Sequence, residues 1–108
     1  MKYAVLFTGI AGETQRVAVT DAAQLLSAIA APDPTRQLVG LLITCEDFNA
    51  RLGMGGGIPT NGANPVGHLL YVGQALKLIN SQQVLSLRVI NAVAGSDVFL
   101  QITYEYEV

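Results

Sequence analysis

The C-terminal part of the chain alternates between apolar and polar positions with a period of two. Over residues 98–107, five apolar side chains occupy one face, and the other face becomes polar after Phe99 and acidic at its end. The apolar positions are Val98, Leu100, Ile102, Tyr104 and Tyr106. This period is typical of a half-buried strand. We therefore predict a strand here, with Glu105 and Glu107 on a solvated edge face that discourages stray strand pairing.

Upstream of this strand the apolar runs are shorter, and turn residues separate them. A strand is predicted at 84–90, between a polar break at 80–83 and a turn at 94–97 that contains Gly, Ser and Asp. Residues 68–79 have apolar positions near helical intervals, but Gly73 in the middle argues against a helix. We predict two short strands joined at Gly73, with a bulge as one way to join them.

The first half of the chain predicts further strands and one short helix. The predicted strands are at 2–8, 14–20, 37–46 and 49–54. The run at 37–46 is almost continuously apolar, which is typical of a central strand. The helix is predicted over 22–29, with Asp21 as its N-cap and good helix formers inside it. The segment 30–36 contains two prolines and is predicted to be a loop.

A long glycine-rich loop is predicted over residues 53–65, with five glycines and two prolines. The P-loop pattern fails because no Gly-Lys-Ser/Thr follows, and the dinucleotide fingerprint fails because no helix begins after the glycines. An exposed loop that contacts a neighbour or wraps a surface is the favoured interpretation. Its candidate contact residues are Gly55, Gly56, Gly57, Ile58 and Asn61.

These elements predict a single domain over residues 1–108. Roughly seven or eight short strands with turn signals are typical of a mainly β fold. We expect an antiparallel β-sandwich, jelly-roll-like, with one short helix. A parallel α/β fold is disfavoured because the second half of the chain has no crossover helices.

Composition adds a prediction about association. Charged residues make up 13% of the chain and hydrophobic residues 51%, whereas typical domains carry roughly 25% charged residues. A monomer would expose much apolar surface, so we expect other subunits to cover part of it. The net charge is −2 and the six basic residues are scattered, which argues against a nucleic-acid partner. No apolar run reaches about 18 residues, so no membrane span is predicted.

Candidate chemistry is sparse. Cys45 is the single cysteine, so an intrachain disulfide is excluded, and a buried core position is favoured over a reactive thiol. His68 could act as an acid or base with Glu46 or Asp47, but a structural or interface role is favoured. Glu46, Asp47 and Arg51 are read as an ion pair at a strand end rather than as a hydrolytic carboxylate pair. We therefore predict no enzymatic activity, no cofactor and no metal.

Several short motifs resemble small structural proteins of tailed bacteriophages. A strand ending in Glu-Asp leads to an Arg strand, followed by a Gly-x-Pro-Thr loop, a Gly-His turn and a closing hairpin. These motifs lie at 43–52, 57–60, 67–70 with Gly73, 87–90 and 100–104. The resemblance covers residues 41–106 and leaves the N-terminal part unmatched. It implies a capsid decoration (cement) protein, a small β-fold that assembles as trimers or dimers over the joints between capsomers.

On this basis we expect a virion structural protein that binds the major capsid protein as a homo-oligomer, with a trimer favoured over a dimer. It would lie on the capsid surface, after a period in the host cytoplasm. The alternative is a carbohydrate- or host-receptor-binding β-module of a phage tail or surface structure, and a small enzyme ranks third. The candidate interface residues are Glu46, Arg51, Gly55, Gly56, Gly57, Ile58, Asn61 and His68.

Overall fold

The computed structural model describes residues 9–108, so the strand predicted at 2–8 lies outside the described residues. The described part contains eight strands and two short helices. In chain order these are β1 (Ile10–Val19), β2 (Gln24–Leu25), α1 (Leu26–Ile29), β3 (Leu38–Glu46), β4 (Ala50–Gly53), β5 (His68–Leu70), β6 (Ala75–Leu78), α2 (Ser81–Ser86), β7 (Arg88–Asn91) and β8 (Val98–Tyr106). Neither helix is long and apolar enough to span a membrane.

The strands form two antiparallel four-stranded sheets. Sheet A has the order β1-β8-β3-β6, and sheet B has the order β2-β7-β4-β5. The pairs β1–β8, β2–β7, β3–β6 and β4–β5 place the first half of the chain antiparallel to the second half. A long double strand rolled up in this way is a jelly roll. The predicted mainly β, antiparallel sandwich is therefore confirmed.

The core lies between the two sheets and matches the alternation along β8. The apolar positions of β8 are buried in it, and Val17 and Val19 of β1 face the same interior. Strand β3 lies between β8 and β6, which confirms the predicted central strand. Cys45 at its end is buried, as predicted. Alternate side chains thus point inward from both sheets, as expected for a sandwich.

The predicted helix at 22–29 is shorter than expected. Only Leu26–Ile29 is helical, because Gln24 and Leu25 pair with β7 as a strand. Asp21 does not cap this helix; its carboxylate instead accepts hydrogen bonds from Asn91 Nδ2 and Gly95 N. One turn of helix gains little from propensity, so pairing with a neighbouring strand prevails.

A second helix, α2, occupies the predicted polar break, so the prediction of a single helix is wrong. The side chain of Asn80 caps it by accepting from Gln82 N and Gln83 N. Val84 in α2 and Leu87, directly after the helix, are both fully buried. They are three residues apart and both pack on the core. The strand predicted at 84–90 therefore begins only at Arg88. A cap residue followed by apolar spacing of three was the available signal.

Strands β5 and β6 are joined at Gly73, as predicted, but by a turn rather than a bulge. Gly73 has a φ of 81°, and Gln74 N donates to Tyr71 O over 3.0 Å. Because β5 belongs to sheet B and β6 to sheet A, this turn carries the chain from one sheet to the other.

The predicted edge position of β8 is wrong, because β8 lies between β1 and β3. Glu105 is consequently fully buried, and Lys77 Nζ lies 2.5 Å from its Oε2. The Cα partners of Glu105 are Ala11 and Gly40, whose small side chains leave room for the carboxylate. A buried carboxylate requires a compensating charge, which the Lys77 ammonium supplies.

The two tyrosines of β8 hold the connection between β2 and β3. Tyr104 Oη donates to Ala30 O over 2.5 Å in a buried position. Tyr106 Oη accepts from Asp33 N over 2.8 Å, and the Arg36 guanidinium lies 4.3 Å from the centre of the Tyr106 ring. Burial raises the pKa of Tyr104 to about 12. The two hydroxyl groups thus fix a proline-containing loop to β8.

We expect Tyr104→Phe to lower the free energy of unfolding by about 1–2 kcal/mol, because it leaves the buried Ala30 carbonyl without its donor. Urea denaturation followed by circular dichroism would measure the change. Tyr71→Phe is the matched control, since Tyr71 is exposed, and it should leave the midpoint unchanged. Equal midpoints for the two variants would contradict a stabilising role for the Tyr104 hydroxyl.

Candidate interaction surfaces

Four connections between the two sheets meet at one end of the sandwich. They are the β1–β2, β3–β4, β5–β6 and β7–β8 connections, and each passes from one sheet to the other. Asn49 joins three of them: its Oδ1 accepts from Val72 N and its carbonyl accepts from Ala92 N. Asn91 N donates to Thr20 O, which joins the fourth connection, β1–β2, to the same end. We name residues 20–23, 47–49, 71–74 and 92–97 the Phe48 end.

A chain of polar side chains stiffens this end from inside. Asn91 is fully buried, and its Nδ2 donates to Asp21 Oδ1 over 2.6 Å. Asp21 Oδ1 also accepts from Gly95 N over 2.7 Å. These two hydrogen bonds, the Asn91 bond first, lower the pKa of Asp21 below its usual value. Asn61 Nδ2 donates to Asn91 Oδ1, so Asn61, a predicted interface residue, is half-buried and holds its own loop to the sandwich.

Four large apolar side chains are exposed together at the Phe48 end. They are Phe48, Tyr71, Val72 and Val93, each at least half exposed. Because their loops are joined through Asn49, all four lie at the same end of the sandwich rather than scattered over it. Contiguous exposed apolar surface is typical of an interaction site.

The turn that presents Phe48 has an uncommon backbone conformation. Asp47 has a φ of 69°, the only positive value among the described non-glycine residues. Phe48 N donates to Glu46 O over 2.9 Å, and Cys45 Sγ donates to Phe48 O over 2.8 Å. Such a conformation costs on the order of 1 kcal/mol even for Asp, which tolerates it better than most residues. The exposed position of Phe48 is therefore imposed by its backbone contacts.

The glycine-rich β4–β5 connection folds back over the outer face of sheet B. Gly55 and Gly56 both have positive φ in a turn closed by Gly57 N donating to Met54 O, the pattern of a primed turn. A Cβ added at Gly53 would meet the Gly57 carbonyl and lie 2.7 Å from Pro59 Cδ. The loop then reaches Asn91 at the far end of β7 through Asn61. Its tip is exposed at the glycines, whereas Pro59 is buried.

Two arginines lie on this outer face. Arg51 Cα pairs with Ile90 and Arg88 Cα pairs with Gly53, so the arginines are diagonal neighbours on adjacent strands. Arg51 Nη1 donates to Gly67 O over 2.9 Å. The Nε atoms of both arginines are buried, and neither has a hydrogen-bond partner within the described residues. The guanidinium groups are therefore incompletely satisfied.

Beside these arginines lies a shallow apolar hollow. Ile58 and Val66 are exposed in it, and Met54, Leu52 and His68 line it with them. We name Arg51, Arg88, Ile58 and Val66 the Arg face. His68 lines the hollow at its rim but lies opposite core-facing Leu52, on the other side of sheet B from the arginines. Gly55 and Gly56 line a separate hollow with Asn80 and residues of α2. Near that second hollow Ile79 and Leu85 are also exposed, and we name this group the α2 end.

The structure does not bring His68 to the carboxylates considered from sequence. His68 pairs with Leu52 at the far end of β4 from Asp47. Glu46 lies on sheet A, where its Oε1 accepts from Gln101 Nε2 over 2.7 Å and lies 3.4 Å from Arg16 Nε. Glu46 is thus paired with Arg16 rather than with Arg51. Over residues 9–108, no group of three or more His, Cys, Asp and Glu side chains could hold a metal ion.

The arrangement therefore offers binding surfaces. Sequence reasoning identified Arg51 and Ile58 of the Arg face, and His68 at its rim, but missed the exposed apolar residues at the Phe48 end. Rules based on periodicity assign apolar side chains to strands. They therefore do not identify Phe48 and Val93, which lie next to turn residues, as exposed positions. An apolar residue directly after the Glu-Asp pair, between the strands predicted at 37–46 and 49–54, was the one available signal.

No protein-family model matches this chain, and neither a curated protein nor a solved structure matches it. The resemblance to phage structural proteins accordingly stays a prediction. Functional inference for this chain rests on its fold and its surfaces.

We expect Gly53→Ala to destabilise the protein by roughly 2 kcal/mol or more, because the new methyl group would overlap the Gly57 carbonyl and displace the loop. The change would be measured by urea denaturation. Gly62→Ala is the matched control in the same loop, since no heavy atom lies within 4 Å of the added Cβ. It should stay within about 0.5 kcal/mol of the parent chain. Comparable losses in both variants would contradict packing of the loop on sheet B.

Cys45 should resist thiol reagents in the folded protein. Burial, with smaller contributions from Asp47 and Glu46, raises the pKa of Cys45 to about 11 from 9.0. At pH 8 we expect slow maleimide labelling of native protein and rapid labelling in concentrated urea. The unfolded thiol ionises first as pH rises, so stability should fall between pH 9 and 11, and less so in Cys45→Ala. Rapid native labelling would mean that the Phe48 end opens readily.

Proposed function

We propose that this chain is a capsid decoration (cement) protein, a virion structural protein that binds and stabilises the major capsid lattice as a homo-oligomer. The observation that carries the proposal is the set of exposed apolar clusters, separated from one another, on one small sandwich. A decoration protein needs two kinds of contact, one between its copies and one with the capsid. A trimer is favoured over a dimer, and the protein would lie on the capsid surface after synthesis in the host cytoplasm.

The fold is compatible with this role. Jelly rolls occur in viral capsid domains, and also in lectin domains and cupins. Because one fold serves many functions, the surfaces have to carry the argument. Here 13% charged residues leave a surface rich in apolar and neutral polar groups, which favours a protein that works in a bound state.

The rigidity of the surfaces supports binding. The four connections at the Phe48 end are joined through Asn49, Asn91 and Asp21, and the glycine-rich loop is tied back through Asn61. A surface ordered before binding loses less conformational entropy on association. Each contact can be weak, because an oligomer that engages several capsid subunits gains from multivalency.

The α2 end is our candidate for the capsid contact. It exposes Ile79 and Leu85 beside the glycine turn at Gly55 and Gly56, which the sequence also marked as candidate contacts. Gly55 and Gly56 face open space, so a partner can approach their backbone closely.

We expect the protein to cosediment with capsids of the encoding phage assembled without it, and to raise the temperature at which they release DNA. Ile79→Ser with Leu85→Ser should weaken binding by roughly tenfold or more, as expected when exposed apolar anchors are removed. Ile10→Ser, an exposed apolar position on β1, is the matched control and should bind normally. Capsids that gain no heat resistance from the protein would overturn the proposal.

The second candidate is a carbohydrate- or host-receptor-binding β-module. It is favoured by one observation: the aromatic rings of Phe48 and Tyr71 are exposed at the same end, beside Asp47 and Asn49. Sugar sites commonly combine such rings with carboxylate or amide groups. Binding to glycans through Phe48 and Tyr71, without binding to capsids, would favour this candidate. The absence of any bound glycan on a glycan array would contradict it.

A further inference from the structure

Acidic residues are confined to two segments of the chain. All eight Asp and Glu residues lie within 13–47 or 97–107, and the stretch 48–96 contains none. That stretch carries three of the six basic residues and His68, the single histidine. In the fold it supplies β4, β5 and β7 of sheet B, the glycine-rich loop, α2, and β6 of sheet A, whose Lys77 pairs with Glu105. The outer face of sheet B is therefore a surface without carboxylates of its own.

The Arg face has basic groups that await an anionic partner. Arg51 and Arg88 are diagonal neighbours, which places their Cα atoms about 7–8 Å apart. Both side chains are partly exposed, and no ion pair joins either of them to a carboxylate of the described residues. Planar guanidinium groups suit carboxylates, to which they donate two parallel hydrogen bonds. Exposed Ile58 and Val66 place apolar surface beside these charges.

The Phe48 end has the complementary character. Asp47 and Asp97 are exposed there, and within residues 9–108 neither carboxylate forms an ion pair or accepts a hydrogen bond. Asp21 is already engaged by Asn91 and Gly95. The exposed apolar side chains of Phe48 and its neighbours lie at the same end of the sandwich. One surface of the molecule is thus acidic and apolar, and another is basic and apolar.

We propose that copies of this chain associate head to tail, with the Phe48 end of one copy on the Arg face of the next. Asp47 and Asp97 of one copy would accept hydrogen bonds from the guanidinium groups of Arg51 and Arg88 of its neighbour. The apolar clusters of the two surfaces would cover each other. Because the two surfaces differ, the contact is heterologous and generates a closed ring or an open chain of copies. A ring of three is the closed form that fits the favoured trimer.

This inference deepens the proposed function, on which it rests, by assigning the contact between copies. It leaves the α2 end free to meet the capsid. It also accounts for the unequal distribution of charge in a chain whose net charge is only −2. Charge complementarity favours the correct register and disfavours pairing of like surfaces.

The test uses light scattering on a sizing column with the full chain of 11.4 kDa. The unaltered chain should elute as an oligomer whose dissociation constant rises with salt, because screening weakens the ion pairs. Arg88→Glu disables the Arg face, and Asp47→Asn with Phe48→Ser disables the Phe48 end. Each variant alone should be monomeric, with a dissociation constant raised by roughly tenfold or more. Ile10→Ser should keep the oligomer.

The decisive step is to mix the two disabled variants. Each keeps the surface that the other has lost, so a head-to-tail contact predicts a one-to-one dimer that grows no further. A mixture that stays monomeric, or a parent chain that is monomeric, would overturn the inference. Val66→Asp, at an exposed position of the Arg face, replaces Arg88→Glu if that variant fails to fold by circular dichroism.

The two proposals can fail separately. A ring that has no affinity for capsids would contradict the decoration function but would still support the head-to-tail contact. A monomer that binds and stabilises capsids would contradict the head-to-tail contact and support the decoration function. The variants at Ile79 and Leu85 should keep the parent oligomer, which separates the two surfaces experimentally.

Discussion

The structure depends on the pairing of β8 with β1 on one side and β3 on the other. These pairings join residues near the end of the chain to residues from its first half, so sheet A cannot form until the chain has rolled up. The inward side chains of β8 fill the core, Tyr104 and Tyr106 hold the β2–β3 connection, and Glu105 is buried against Lys77. Contacts so distant in sequence are expected to make folding slow compared with a helical protein of this size.

The sequence was sufficient for the fold class and for most strands, because alternation is a local property. The alternation along β8 and the continuous apolar run of β3 each matched a buried strand. Prediction from the sequence failed where contacts between strands distant in the chain determine the structure. Glu105 reads as a solvated edge residue in the alternating pattern, yet strands on both sides bury it. Gln24 and Leu25 look helical until β7 pairs with them. The helix α2 was missed although the Asn80 cap was present in the sequence.

The candidate surfaces were predicted in part. Ile58 and His68 do line one hollow, but His68 lies opposite core-facing Leu52 and so on the other side of sheet B from Arg51. Asn61 holds its own loop to the sandwich, and Glu46 lies on the other sheet beside Arg16. Phe48 and Val93 come together because the jelly roll brings four connections to one end, and no local pattern contains that information. The stretch without Asp or Glu between the two acidic segments was visible in the sequence, but its meaning required the sheet assignment.

The sheet edges restrict how such a protein can assemble. Within residues 9–108, the edge strands β2, β5 and β6 have two, three and four residues, too short to template a long strand from another chain. Strand β1 is long, but its register against β8 shifts between Ala11 and Thr14, an irregularity that interrupts an edge. Assembly by strand addition, the route toward fibrils, is thereby disfavoured. Copies that meet through side chains at loops and faces, as we propose, can separate again, which suits the proposed role of a protein added to a capsid already built.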